Sequence, residues 1–121
     1  MNPTHSAARA YRQVGLQDAD PVRLTAAATR GAAVEVERAQ TALDANRIGE
    51  FCEAVTRASS LIGALREGLD LAGGGELARN LDRIYVYIQL RLVRAGSSRD
   101  RGLLEEVGGH LSGLASAWES I

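Results

Sequence analysis

Residues 48–69 read IGEFCEAVTRASSLIGALREGL, and within them Ile48, Phe51, Val55, Ala58, Ile62, Leu65 and Leu69 recur at alternating spacings of three and four. Such a seam places apolar side chains along one side of an α-helix. Its period of about 3.5 residues favours neighbouring helices that cross at shallow angles. The pattern starts near Asn46 or Arg47 and stops by Gly73-Gly74-Gly75, a run that cannot hold a helix.

Working outward, the same kind of pattern appears three more times. Downstream, Glu76 to Ala95 carries Leu77, Leu81, Ile84, Tyr85, Ile88 and Leu92 on one side. Arg91 and Arg94 suit the negative end of that helix dipole, and Gly96 reads as its C′ residue, followed by a loop through Ser97 and Ser98. From about Arg99 to the end, Leu104, Val107, Leu111, Leu114, Trp118 and Ile121 form another seam, weakened locally by Gly108 and Gly109. Trp118 reads as core. Upstream, Asp20-Pro21 is a helix start: the carboxylate can accept from free first-turn amides and proline suits the first helical position. That helix is expected to run to about Ala45 or Asn46, with Leu24, Ala27, Ala28, Gly31, Ala32, Val34, Ala39, Ala42 and Leu43 on its inner face. This face is apolar but shallow. It can serve close approach of the bundle's own helices or of a helix from a partner.

Four amphipathic segments with short links give an all-α, antiparallel up-down four-helix bundle. The expected division is a short helical or extended N-terminal lead over residues 1–17, holding Tyr11, and one bundle domain over residues 18–121. Composition agrees. Aromatic residues are only 4%, too few for a β-sandwich core, and the two prolines, Pro3 and Pro21, both lie near the start.

Several function classes are disfavoured. A formal net charge of −1 gives no bulk field to recruit nucleic acid or an anionic membrane, although every basic side chain is Arg. No apolar run reaches about 18 residues, and Met1–Arg12 lacks the apolar stretch of a signal peptide, so a cytoplasmic location and no membrane insertion are expected. The single Cys52 excludes an internal disulfide, and beside the helix seam it reads as a small buried thiol. His110 has Glu106 four residues before it and no second His-bearing motif in any helix, so no carboxylate metal site is built; it reads as a partly exposed helical residue. Gly73-Gly74-Gly75 has no following Lys-Ser/Thr and is not a phosphate loop. Glu35, Glu37, Glu50, Glu53 and Glu67 mostly alternate with Arg at helical spacing, as on a solvated face. No catalysis and no cofactor are expected.

Three blocks in order, Ala10-Tyr11 with Ala19-Asp20-Pro21-Val22-Arg23-Leu24, Asn80-Leu81-Asp82-Arg83-Ile84-Tyr85-Val86-Tyr87-Ile88 with Arg91-Leu92, and Leu103, Val107 and Trp118, resemble the FliS family of flagellar secretion chaperones. One stretch departs: where that family usually has Leu-Tyr-Asp/Glu-Gly, this chain reads Ala28-Thr29-Arg30-Gly31. The resemblance implies a non-enzymatic chaperone that binds the disordered C-terminal region of flagellin, holds it from polymerising and delivers it to the flagellar export apparatus. It also implies that the lead can cover part of an empty groove, and Tyr11, isolated in that polar lead, is expected to pack back over it. Candidate contact residues are Tyr11, Leu24, Ala28, Gly31, Leu81, Tyr85, Tyr87 and Ile88. Tyr85 and Tyr87 lie about 200° apart on a helix, so one belongs to the core and the other to the surface. The chaperone is expected to be monomeric when free. A second reading is a structural or adaptor bundle that self-associates through exposed apolar faces, and mass in solution separates the two.

Overall fold

The computed structural model describes residues 20–121, so Tyr11 and the expected lead lie outside the described residues. Four helices follow one another: α1 (Pro21–Asp44), α2 (Ile48–Glu67), α3 (Gly75–Ser98) and α4 (Arg101–Glu119). Two of the starts, those of α1 and α4, are capped by a side chain. Asp20 Oδ1 accepts from the Arg23 amide at 2.9 Å, with Pro21 at the first helical position, and Asp100 Oδ1 accepts from the Leu103 amide at 3.2 Å. These caps satisfy amides that have no partner within the helix.

Two of the helix ends are sharper than the sequence suggests. α1 closes with Asn46 in the left-handed region (φ 58) and the Arg47 amide reaching back to the Ala42 carbonyl at 2.8 Å. α3 closes the same way, on Arg99 (φ 54) and the Asp100 amide, which donates to the Ala95 carbonyl. The helix therefore continues through Gly96 to Ser98, and Arg99 takes the place expected of Gly96. Gly96 is instead a packing residue: a Cβ there would come within 3.3 Å of a Val55 methyl on α2. α2 stops at Glu67, earlier than the seam suggests, and Leu69 still packs on the core from the following turn. In that turn Asp70 Oδ1 accepts from the Gly73 amide at 2.9 Å.

The helices form a ring in which α1 packs on α2 and α4, and α3 packs on the same two from the opposite side. Ion pairs at both ends show α1 and α4 antiparallel: Arg30 meets Glu119, and Arg101 meets Asp44 at 2.7 Å. Arg66 and Asp82 join the end of α2 to the start of α3 at 2.8 Å. The core holds Val36, Phe51, Ile62, Tyr85, Ile88, Leu92, Leu104 and Leu111, all almost wholly buried. Burying each large apolar side chain contributes roughly 1.5–3 kcal/mol. α1 supplies Ala28, Ala32 and Ala39 at zero exposure, so its shallow face lets its own neighbours approach closely.

The seams differ from expectation at their edges. Val34, Leu77, Ile84 and Ile121 are exposed, while Ala33, Val36 and Ala78 are buried. A ring of four helices covers a stripe of each one, and residues at its margin are left half in water. Cys52 is exposed, because it sits one step of 100° from Phe51 and so turns off the α2 seam. Glu35 is buried instead of solvated. Its Oε1 accepts from Arg38 at 2.9 Å, and its Oε2 has no partner among the described residues. α1 packs on two helices, so its covered arc is wide enough to include that position. His110 is exposed, as expected, and Trp118 is half-buried against the core.

Candidate functional site

Most of the exposed large apolar side chains among the described residues are on α3. Leu81, Tyr85, Ile88, Leu92 and Ala95 point into the core, yet Ile84, Tyr87, Leu90 and Val93 remain 38%, 40%, 66% and 64% exposed. These positions lie on both flanks and the outer side of the helix, so no single partner helix could cover them within a four-helix ring.

Ile84 and Tyr87 border a groove of about 510 Å³ between α3 and α4, floored by Ile88 and walled opposite by Gly109, Gly113 and Leu114. The two glycines are four residues apart and share one side of α4. A Cβ built at either would meet no atom within 4 Å, so the space above them is open to an incoming chain. On the other flank of α3, a second channel of about 600 Å³ runs against α2 past Ser59, Ser60, Gly63, Gln89 and Val93. Gln89 spans this channel, donating to the Ser59 carbonyl at 3.5 Å.

The polar rim of the α3–α4 groove is internally paired. Tyr87 Oη donates to Glu106 Oε2, and His110 Nε2 lies 3.3 Å from the same oxygen. Arg91 Nε approaches it at 3.8 Å, and the Arg91 guanidinium carbon stands 5.0 Å above the Tyr87 ring. The His110 ring meets the Tyr87 ring edge-on, with centroids 5.9 Å apart. The hydrogen bond from Tyr87 holds the Glu106 carboxyl below its ordinary range; partial desolvation opposes this, while His110 and Arg91 reinforce it. This network fixes the Tyr87 ring along the groove edge, with Arg91 over one face and the residue still exposed. The groove between α1 and α2 is of another character, because its Arg38, Arg47 and Arg57 are paired with Glu35, Glu50 and Glu53.

The eight residues singled out in the sequence do not form one surface. Tyr11 lies outside the described residues. Ala28, Leu81, Tyr85 and Ile88 are core, Leu24 and Gly31 are half-buried, and Tyr87 is exposed. Tyr85 and Tyr87 divide as their angular separation requires. Gly31 faces Leu61 of α2, 3.5 Å from where its Cβ would be. The departing segment is likewise turned inward: Thr29 is fully buried with its hydroxyl donating to the Thr25 carbonyl at 2.7 Å, and Arg30 pairs with Glu119. Sequence reasoning missed Leu90, Val93, Gly109, Gly113 and Leu114 as surface features. The signals available were apolar residues off the α3 seam and two glycines one turn apart on α4.

Among the described residues no cluster of His, Cys, Asp and Glu could hold a metal ion, and no helix is long and apolar enough to cross a membrane. The sequence profile described as flagellar protein FliS matches residues 4–121. The chain is 40% identical over 119 residues to the flagellar secretion chaperone FliSB of Pseudomonas aeruginosa, covering 95% of this chain and 94% of that protein. It is 36% identical over 123 residues to the flagellar secretion chaperone FliS of Salmonella typhimurium, covering 98% and 91%, and 26% identical over 117 residues to that of Vibrio cholerae, covering 93% and 86%.

Proposed function

The chain belongs to the FliS family of flagellar secretion chaperones, and from that membership we propose that it binds the disordered C-terminal segment of flagellin in the cytoplasm. In this reading it acts without catalysis, holds the client from polymerising and delivers it to the flagellar export apparatus.

The observation that carries the proposal is the uncovered apolar side of α3 beside an open groove whose opposite wall is Gly109 and Gly113. A disordered client that orders on binding loses about 2–5 kcal/mol or more in doing so, and apolar area must offset that loss. An amphipathic client helix laid between α3 and α4 covers Ile84 and Tyr87 and approaches the α4 backbone closely at the two glycines, which is helix-in-groove recognition. Tyr87 is the contact residue. Leu81, Tyr85 and Ile88 act from beneath, holding α3 in place.

Isothermal titration calorimetry against a C-terminal flagellin fragment from the same organism tests this. Saturable 1:1 binding with a negative heat-capacity change supports it. Absence of binding at high fragment concentration refutes it. Exposed Leu90 and Val93 also suit a bundle that self-associates; a native mass equal to one chain removes that second reading.

A further inference from the structure

Twelve arginines lie among the described residues, and they divide sharply by helix. Every arginine of α1, α2 and α4 has a carboxylate within ion-pair distance, as do Arg47 with Glu50 and Arg91 with Glu106. Arg79, Arg83, Arg94 and Arg99 form no ion pair with any described residue, and all four belong to α3 or its C-terminal cap. Arg83 has only a neutral partner, donating to Asn80 Oδ1 at 2.8 Å.

Two of these cations are in register with the exposed apolar residues. Arg83, Tyr87, Leu90 and Arg94 stand at i, i+4, i+7 and i+11, one stripe along the outer side of α3, and all four are exposed. The stripe spans roughly 16 Å, with a cation at each end and an aromatic and a leucine between. Glu76 falls on the same side, about 10 Å further towards the N-terminus, where it complements the helix dipole and is too distant to neutralise Arg83. A bundle whose arginines on the other three helices all have carboxylate partners is thus left, on α3, with cations unmatched among the described residues beside its uncovered apolar side chains.

Resting on the chaperone reading, we infer that this stripe docks an acidic amphipathic segment of the client, with carboxylates seated against Arg83 and Arg94 and apolar side chains against Tyr87 and Leu90. Charge complementarity sets which stretch of client lies over α3 and in which register, while the apolar contacts supply most of the affinity.

The experiment titrates the flagellin C-terminal fragment into the unaltered protein, an Arg83→Gln/Arg94→Gln variant and an Arg47→Gln/Arg57→Gln variant, at about 0.05 M and about 0.5 M salt. The last pair removes two cations that already have exposed carboxylate partners. Thermal melting confirms that each variant is folded, which is expected because all four side chains are exposed and Gln is a good helix former. The inference expects the α3 variant to bind about tenfold more weakly at low salt and to lose most of its salt dependence, with the α1–α2 variant unchanged. Equal affinity and equal salt dependence for the α3 variant overturns it and leaves the chaperone reading standing. Equal weakening of both variants also overturns it, since bulk charge would then be the cause. No binding by the unaltered protein removes both readings together.

Discussion

Arg30 on α1 grips both carboxylate oxygens of Glu119 at the end of α4, with Nη2 2.8 Å from Oε1 and Nε 3.2 Å from Oε2. Arg30 Nη2 also reaches the Ser116 hydroxyl at 3.4 Å. The Arg that departs from the FliS pattern is therefore used within the bundle, where it ties the last turn of α4 to α1. A planar guanidinium suits this two-point grip, and a lysine would not reproduce it.

That pair makes stability sensitive to acid. The hydrogen bond from Arg30 lowers the Glu119 carboxyl below its ordinary range, Arg101 does the same for Asp44, and Tyr87 does so for Glu106. A carboxyl whose folded value is depressed contributes stability that is fully present above its unfolded value and is lost as pH falls through the folded one. Melting temperature should thus hold from neutral pH down to the ordinary carboxylate range and decline below it. The Glu119→Gln variant should melt lower at neutral pH and show a shallower acid decline.

Tyr85 and Tyr87 should behave oppositely. Tyr85 is 1% exposed, so Tyr85→Ala is expected to cost about 3–5 kcal/mol in denaturant unfolding, as for other large aromatic truncations in cores. Tyr87→Ala removes a rim residue and should change stability by under about 1 kcal/mol, while weakening the flagellin fragment measurably in the calorimeter. Loss of stability in both variants would place Tyr87 in the core's energetics and count against its contact role.

Ala32 sits at zero exposure within the α1–α2–α4 packing. Ala32→Leu should destabilise by about 1–3 kcal/mol, because a close-packed interior can take the added volume only by strain. Chemical denaturation with an unchanged m-value would confirm that the cost lies in the folded state.

Gly109 is helical and open on its outer side. Gly109→Ala should stabilise the fold by about 0.5–1 kcal/mol, since alanine loses less backbone entropy and its Cβ meets no atom within 4 Å. Gly109→Leu should keep the fold and weaken the client, because the side chain fills the groove the client would enter. Calorimetry and thermal melting on the two variants separate the effects.

The sequence alone determined the number and order of the helices, their antiparallel arrangement and the identity of most core residues. Periodicity in Ile48–Leu69 and its counterparts fixes which stripe of each helix is apolar, and Asp20-Pro21 and the glycine run mark boundaries by local chemistry alone. The ordered blocks from Tyr11 to Trp118 also pointed to the family that the comparisons show. What the sequence left open were matters of angle and neighbour. A heptad pattern gives a stripe without its width, so Val34, Leu77 and Ile84 read as core and Glu35 as solvated until the ring of helices set how much of each was covered. The same ambiguity hid the site. An exposed leucine such as Leu90 and a buried one such as Leu92 are alike in composition, and Gly109 reads as a weak point in a helix until the space beside it is seen. Arg30 is paired with a carboxylate 89 positions away, whereas Arg83 has only neutral Asn80 as a partner among the described residues. Only packing brings Glu119 to the first and leaves the second without a carboxylate among the described residues, because the partners of surface charges are chosen by the crossing of helices and not by their order along the chain.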